Sequence, residues 1–217
     1  MTARLRYRLM TTKYKNLRRL LDIYNLVLAS GSPRRVGLLI EAGIAFRQII
    51  PDINEANSKQ LKPYELAMLL ARKKSQAVVE QINNNEVVLG CDTIVVLNEQ
   101  ILGKPSSKNE AVQMLAQLAG NKHTVCSAIA LSTANDETAG GFELTDVYFK
   151  KVSLREIEDY AASGEPLDKA GAYGIQERGV FLVDRFVGNI DNVIGLPMTL
   201  LDELAGRLGE KLRLYAG

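Results

Sequence analysis

The sequence is poor in the residues that build many metal and redox sites. It contains one histidine, His123, and two cysteines, Cys91 and Cys126, which lie far apart. A single histidine excludes multi-histidine metal centres and argues against a Ser-His-Asp triad, and the cysteines form no CxxC pair. We therefore expect neither a disulfide framework nor a metal cage, and the cysteine usage predicts a reducing, cytoplasmic location.

Other absences narrow the class of protein further. No apolar run approaches the length of a membrane span, so no membrane association is expected. The sequence also lacks a GxxxxGK[ST] loop, a GxGxxG fingerprint, an HExxH motif and an EF-hand loop. Any phosphate site must therefore be assembled in another way. The length of 217 residues suits one compact domain, or one domain bent around a cleft.

The net charge of +2 conceals a basic segment at the start of the chain. Residues 1–24 hold seven of the 27 Lys and Arg residues and one of the 25 acidic residues, so this segment carries +6 and the remainder −4. We predict a basic extension over residues 1–24 and a single domain over 25–217. Three interpretations of the extension stay open: a disordered tail, an organelle-targeting peptide and a phosphate-contacting arm. Because the remainder is acidic, no nucleic-acid partner is expected.

Apolar patterns along the chain alternate between strands and helices, and two later strand pairs look antiparallel, which favours a mixed α/β sheet. Residues 86–97 are typical of a strand pair or of one interrupted strand. Residues 187–189 are predicted to form a hairpin turn between residues 179–186 and 191–195. Three helix starts are predicted from capping signals: Ser32, Ser107 with Glu110, and Ser153 with Glu156.

Two arginines stand where the first long helix should begin, in the stretch "LASGSPRR" (28–35). A helix N-terminus carries partial positive charge and unpaired N–H groups, so cations there are unfavourable unless an anion binds. Arg34 and Arg35 suit phosphate oxygens because guanidinium groups bind them in a fork geometry. The alternative is an ordinary capped helix whose arginines point to solvent.

Two further stretches contain polar residues in unexpected places. Asp92 interrupts the apolar run "VVLGCDTIVVL" (87–97), and burying a carboxylate is costly, so Asp92 either lies at a strand end facing a cleft or has a cation. A loop-capping aspartate is the alternative. The glycine-rich stretch 167–179 contains Gln176, whose amide suits a base edge, although a flexible surface loop would have the same composition. Taken singly, Lys74, Lys104 and Glu55 are typical of solvated side chains.

Taken together, the chain resembles the Maf family of nucleotide pyrophosphatases. The resemblance rests on "LASGSPRR", "LGCDTIVV" (89–96), "LGKP" (102–105), "EPLDKAGAYGIQ" (165–176) and "NVIGLP" (192–197), and it extends from about Asn25 to the C-terminal helix. It implies a mixed, elongated α/β sheet with flanking helices and two lobes around a central cleft, as in inosine triphosphate pyrophosphatases. It also implies hydrolysis of a nucleoside triphosphate to the monophosphate and pyrophosphate, a homodimer, and a divalent cation, Mg²⁺ or alternatively Mn²⁺ or Co²⁺.

The resemblance also implies roles for individual residues. Asp92, Glu55 and Lys104 would be catalytic, with Asp92 as proton acceptor and with Asp92 and Glu55 as metal ligands. The implied triphosphate contacts are Ser30, Arg34, Arg35, Lys74 and Lys169. Arg34, Thr93 and Gln176 match the family branch that acts on dTTP and UTP in nucleotide-pool house-cleaning. A non-catalytic, nucleotide-binding regulator of cell division is the alternative function.

Overall fold

The computed structural model describes residues 13–54 and 61–214. Its helices are α1 Lys15–Leu21, α2 Pro33–Glu41, α3 Pro63–Val79, α4 Lys108–Leu118, α5 Leu154–Ala162, α6 Ile190–Ile194 and α7 Met198–Lys211. Its strands are β1 Asn25–Ala29, β2 Phe46–Ile49, β3 Glu86–Leu97, β4 Gln100–Leu102, β5 Lys122–Thr133, β6 Thr138–Phe149 and β7 Val183–Val187. Three short 3₁₀ helices cover Glu165–Asp168, Ala170–Ala172 and Arg178–Leu182.

The seven strands form one mixed sheet, in agreement with the predicted fold class. Its order is β2-β1-β3-β5-β6-β7, and β4 pairs with β3. Strand β1 pairs parallel with β2 and with β3. The other pairs are antiparallel: β3 with β5, β5 with β6, and β6 with β7. The parallel part requires helical crossovers and the antiparallel part uses hairpins, which explains the change from alternating elements to paired strands along the sequence.

The core is divided in two along β3, which produces the two lobes. The first cluster packs the N-terminal half of β3 with β1, α2 and α7, through residues such as Leu28, Leu89 and Leu204. The second packs the C-terminal half of β3 with α4 and α5, through residues such as Val95 and Leu115. Helix α3 covers the opposite face, because alternate strand residues point to opposite sides of the sheet.

Residues 86–97 form a single continuous strand, which decides between the two predictions for this stretch. The predicted hairpin turn at 187–189 is wrong, because residues 190–194 form the short helix α6. The Asn192 side chain explains this: it is fully buried and donates to the Val125 carbonyl and to Thr145 Oγ1. The Asn192 side chain therefore binds residues 190–194 to β5 and β6, and these residues do not add a strand to the sheet.

Part of the predicted basic extension is folded onto the domain. Helix α1 buries Leu17 and Leu20 completely, and the Leu17 N–H donates to Asp202 Oδ1 on α7 at 2.8 Å. The Arg18 guanidinium also donates to the Ala42 carbonyl at 2.9 Å. Residues 1–12 lie outside the described part of the chain, and no helix among the described residues is long and apolar enough to cross a membrane.

Candidate active site

A cleft of about 650 Å³ opens beside the middle of β3. Strand β1 pairs with β3 up to Gly90, and β4 pairs with it from Val95 onward. Within the described ranges, no strand pairs with residues 91–94 along this edge of β3. The cleft lies at this unpaired stretch, where Asp92, Thr93 and Ile94 line it, and the space between two lobes is a common position for ligand sites in α/β proteins.

Nine of the ten predicted site residues line this one cleft, although they come from segments far apart in the sequence. They are Ser30, Arg34, Arg35, Lys74, Asp92, Thr93, Lys104, Lys169 and Gln176. The tenth, Glu55, belongs to residues 55–60, which lie outside the described residues. The cleft thus combines a helix N-terminus, a carboxylate and several cations.

Helix α2 begins at the cleft without a side-chain cap. Ser32 occupies the N-cap position, but its hydroxyl makes no capping hydrogen bond, so the predicted capping role is wrong. Its own N–H instead donates to Ser30 Oγ at 3.2 Å. Among the described residues, no side chain caps the first-turn N–H groups, which is the arrangement that binds anions at a helix start.

Arg35 is a buried cation surrounded by neutral groups. Its guanidinium donates to Ser30 Oγ at 2.8 Å, to the Gly195 carbonyl at 2.9 Å and to Thr93 Oγ1 at 3.2 Å. Only 9% of the residue is exposed, and it forms no ion pair with a carboxylate in the described part of the chain. Because a buried charge is costly without a counter-charge, the site favours an anion.

Arg34 points to the other lobe instead. Its Nη1 lies 3.1 Å from Asp168 Oδ2, and Lys169 Nζ lies 2.8 Å from the other oxygen of the same carboxylate. Lys169 Nζ also donates to the Glu165 carbonyl at 2.8 Å, which directs the buried ammonium to the cleft wall. Two predicted phosphate contacts, one from each lobe, are therefore bound to the same carboxylate, that of Asp168.

Asp92 lies on β3 opposite Lys74 of α3. The distance between Lys74 Nζ and Asp92 Oδ1 is 2.5 Å, and both side chains are mostly buried, at 14% and 9% exposure. The predicted cation is present and the carboxylate lines the cleft, but Asp92 lies within β3 and not at a strand end. The ion pair holds the carboxylate in one orientation at the cleft wall.

Lys104 and Gln176 are exposed side chains of the same cleft. Across residues 13–54 and 61–214, neither side chain forms a hydrogen bond or an ion pair. A cation and an amide with unused donors are suited to contact a ligand directly.

A buried polar network beneath Thr93 was missed by the sequence analysis. Thr93 Oγ1 lies 2.8 Å from Ser127 Oγ, which donates to the Asn192 carbonyl at 2.8 Å. The Asn192 Oδ1 atom accepts from the Ser127 N–H at 3.1 Å. The available signal was Ser127 within the apolar stretch "CSAIAL", together with an asparagine inside the motif "NVIGLP". The network holds Thr93 and, through the Gly195 carbonyl, Arg35.

Neither cysteine is suited to nucleophilic chemistry. Both are free and buried, and burial raises the pKa of Cys91 to about 11 and that of Cys126 to about 12. The thiolate is the reactive form, so both side chains stay inert at neutral pH.

In the described ranges no group of three or more His, Cys, Asp or Glu side chains could hold a metal ion. Among the described residues, Asp92 and Asp168 are the carboxylates that line this cleft, so a cation held by them would also need oxygens of the ligand.

Known proteins are similar to this chain over most of its length. The model of the family described as Maf-like protein matches residues 25–208. A dTTP/UTP pyrophosphatase of Salmonella typhimurium is 45% identical over 179 residues, covering 82% of this chain and 90% of that protein. One of Dictyoglomus turgidum is 40% identical over 193 residues, covering 86% and 97%. The solved Ham1 protein of Staphylococcus aureus is 19% identical, covers 82% of this chain and 96% of that chain, and has a TM-score of 0.47.

Proposed function

This chain belongs to the family of Maf-like proteins, and we propose that it is a nucleoside triphosphate pyrophosphatase that acts on dTTP and UTP. The reaction hydrolyses the bond between the α- and β-phosphates and releases the monophosphate and pyrophosphate. The observation that carries the proposal is a shared cleft: the uncapped start of α2, with Arg34 and Arg35, lines the same hollow as Asp92. The substrate would supply the counter-charge that Arg35 lacks among the described residues.

Polyphosphate binding is supported by the distribution of positive charge. Arg35 offers a buried guanidinium at the helix start, Arg34 and Lys169 approach from the two lobes, and Lys104 is exposed at the rim. Fixed N–H dipoles and cations stabilise charge that develops on phosphate oxygens, and they need little reorganisation during the reaction. Arg35 and Ser30 are proposed as triphosphate contacts as well, and the hydrogen bond between them holds both side chains in position.

Asp92 is proposed as the group that activates water. Its carboxylate would accept a proton from a water molecule as that water's oxygen bonds to the α-phosphorus. The bond from the α-phosphorus to the bridging oxygen then breaks, and pyrophosphate leaves with the electron pair. Lys74 orients the carboxylate through the ion pair of 2.5 Å. Lys104 is placed to stabilise charge on the leaving group.

A divalent cation fits the chemistry of this cleft. Mg²⁺ is usually held by one or two carboxylates and by phosphate oxygens, and Asp92 provides a hard oxygen ligand at the cleft wall. Asp92 and Glu55 are proposed as its protein ligands, with Mn²⁺ and Co²⁺ as alternatives. When bound, the cation would neutralise negative charge on the phosphate oxygens.

Base selection is proposed for Arg34, Thr93 and Gln176. The Gln176 amide combines a donor and an acceptor, which complement the carbonyl and N–H groups on the edge of uracil or thymine. Thr93 is held from below by Ser127 and Arg35, so its hydroxyl has a fixed position. The relatives named above as dTTP/UTP pyrophosphatases support this choice of substrates.

A non-catalytic regulator that only binds nucleotide would not need a carboxylate oriented by a buried lysine, so the enzymatic function is favoured. A house-cleaning role, a cytoplasmic location and a homodimer are proposed on the basis of the family resemblance.

The test is pyrophosphate release from a panel of nucleoside triphosphates, with and without Mg²⁺, Mn²⁺ or Co²⁺. UTP and dTTP should be the best substrates, and Asp92→Asn should lower kcat by about 10²-fold or more, the usual contribution of a general base. Asp136→Asn is the matched control, because Asp136 is exposed in the turn between β5 and β6 at a φ of 61° that asparagine tolerates. Wild-type turnover in a folded Asp92→Asn variant would exclude the assigned role.

A further inference from the structure

The proposed base-reading residue, Gln176, lies on a short loop whose two ends meet. The loop runs from Gly174 to Gly179: it follows the 3₁₀ helix at Ala170–Ala172 and ends in the first turn of the one at Arg178–Leu182. Gly174 and Gly179 are buried, whereas Gln176 is exposed in the cleft. The loop therefore presents one amide side chain on a backbone whose ends are enclosed by the protein.

Both ends of this loop are bound by the same pair of side chains. Tyr160, in the last turn of α5, accepts a hydrogen bond from the Gly174 N–H at 3.2 Å and donates one to Glu165 Oε1 at 2.9 Å. The Glu165 carboxylate accepts from the Arg178 N–H at 3.3 Å and from the Gly179 N–H at 3.4 Å. One hydroxyl and one carboxylate thus hold the start and the end of the loop together.

The glycines at the two ends are required by close packing. A Cβ atom at Gly179 would lie 2.4 Å from the Gly174 carbonyl oxygen and 2.6 Å from the Tyr160 hydroxyl. A Cβ atom at Gly174 would lie 2.8 Å from Cε of Lys169. The loop therefore closes around Tyr160 with no room for a side chain, and the Lys169 stem passes directly beneath it.

The Tyr160 hydroxyl is suited to this role. Burial raises the pKa of Tyr160 well above its ordinary value, and the hydrogen bond to Glu165 raises it further. The hydroxyl therefore stays protonated at neutral pH and donates a hydrogen bond to Glu165. The Tyr160 ring is packed edge-to-face against Phe181 at 5.8 Å, so the oxygen is fixed in position as well as in protonation.

We propose that Tyr160 and Glu165 are positioning residues for base selection, which hold the Gly174–Gly179 loop so that the Gln176 amide meets the edge of the pyrimidine. The proposal rests on the proposed function, since it assigns these residues to the same cleft. An amide selects a base only when its donor and acceptor stay at fixed distances from the base edge. Loosening the loop should weaken the reading of uracil more than it changes the reaction at the phosphate.

The experiment measures kcat and KM for UTP and CTP with wild type, Tyr160→Phe and Gln176→Ala. Tyr160→Phe keeps the ring against Phe181 and removes only the hydroxyl. It should lower the ratio of kcat/KM for UTP over CTP by about 5- to 10-fold, the usual effect of leaving a buried N–H unpaired, and mainly by raising KM for UTP. Gln176→Ala should shift the ratio in the same direction.

Tyr148→Phe is the matched control. Tyr148 lies on β6 with its ring under the Arg185 guanidinium, and its hydroxyl has no hydrogen bond among the described residues. This variant should keep the wild-type ratio. Glu165→Gln provides a second variant if Tyr160→Phe does not fold, because it removes the charge and keeps one acceptor oxygen, and it should lower the ratio by a smaller factor.

The outcomes separate the two proposals. If the wild type releases no pyrophosphate from any nucleotide, the proposed function fails. If the wild type prefers UTP and the folded Tyr160 and Glu165 variants keep that preference unchanged, the positioning role fails alone. An equal loss of activity on UTP and CTP would also overturn it, because that result indicates a purely structural contribution.

Discussion

Gly90 of β3 packs directly against α3, and Gly90→Ala should disturb both stability and activity. A Cβ atom there would lie 2.2 Å from the Ala71 carbonyl oxygen and 2.7 Å from the Ser75 nitrogen. Ser75 directly follows Lys74, and Asp92 is two residues beyond Gly90. The close approach of helix and strand therefore sets the position of the ion pair in the cleft.

The size of the effect follows from these distances. To bring the contact from 2.2 Å to at least 3.0 Å, the helix must move by about 0.8 Å. Overpacking of this kind costs about 1–3 kcal/mol, partly offset by the smaller entropy that alanine has in the unfolded chain. We expect the free energy of unfolding to fall by about 2 kcal/mol, which lowers Tm by about 4–8 °C in a chain of this size.

The activity should fall as well. A helix displacement of this size separates Lys74 Nζ from Asp92 Oδ1, now 2.5 Å apart, and misplacements near 1 Å cost as much as about 10²-fold in rate. Thermal unfolding and pyrophosphate release from UTP measure both effects. Gly37→Ala is the matched control, because a Cβ atom there meets nothing within 4 Å and alanine should stabilise helix α2 by up to about 1 kcal/mol. A Gly90→Ala variant with unchanged Tm and turnover would refute the reasoning.

Two further predictions concern stability. Leu17→Ala should lower the free energy of unfolding by about 2–5 kcal/mol, because Leu17 is fully buried between α1 and the domain; a urea midpoint equal to that of the wild type would show that α1 contributes nothing. Burial lowers the pKa of His123 to about 4 from an ordinary value of 6.5. As pH falls, His123 is therefore protonated in the unfolded chain before it is protonated in the folded protein. The free energy of unfolding should decline by as much as about 3 kcal/mol between pH 6.5 and pH 4. The decline should be smaller in His123→Gln, and identical urea titrations of the two proteins across this range would exclude the effect.

The capping signals show how far local reasoning extends. The box at Ser153 and Glu156 forms as predicted, because both partners lie within one helical turn. At Ser107 the hydroxyl accepts from the Glu110 N–H as predicted, but the Glu110 carboxylate accepts from Ser106 instead of Ser107. The neighbouring serine offers both a hydroxyl and an N–H, so the choice between two adjacent donors depends on details of the chain entry that the sequence pattern does not contain.

The sequence by itself determined the mixed α/β class and the start of α2, because these depend on periodicity and on local signals, and its resemblance to a family indicated nine residues that line the cleft. It did not predict the partners of the two arginines. The structure separates them: Arg34 reaches Asp168 across the cleft, whereas Arg35 donates to the Gly195 carbonyl, 160 positions away in the chain. The tertiary structure likewise decided the burial of Asn192 and the single long strand β3. It also decided the hydrogen bonds of Tyr160 to the loop that carries Gln176. The physical reason is that a side chain's partner is chosen by packing between distant segments, which local propensity does not encode.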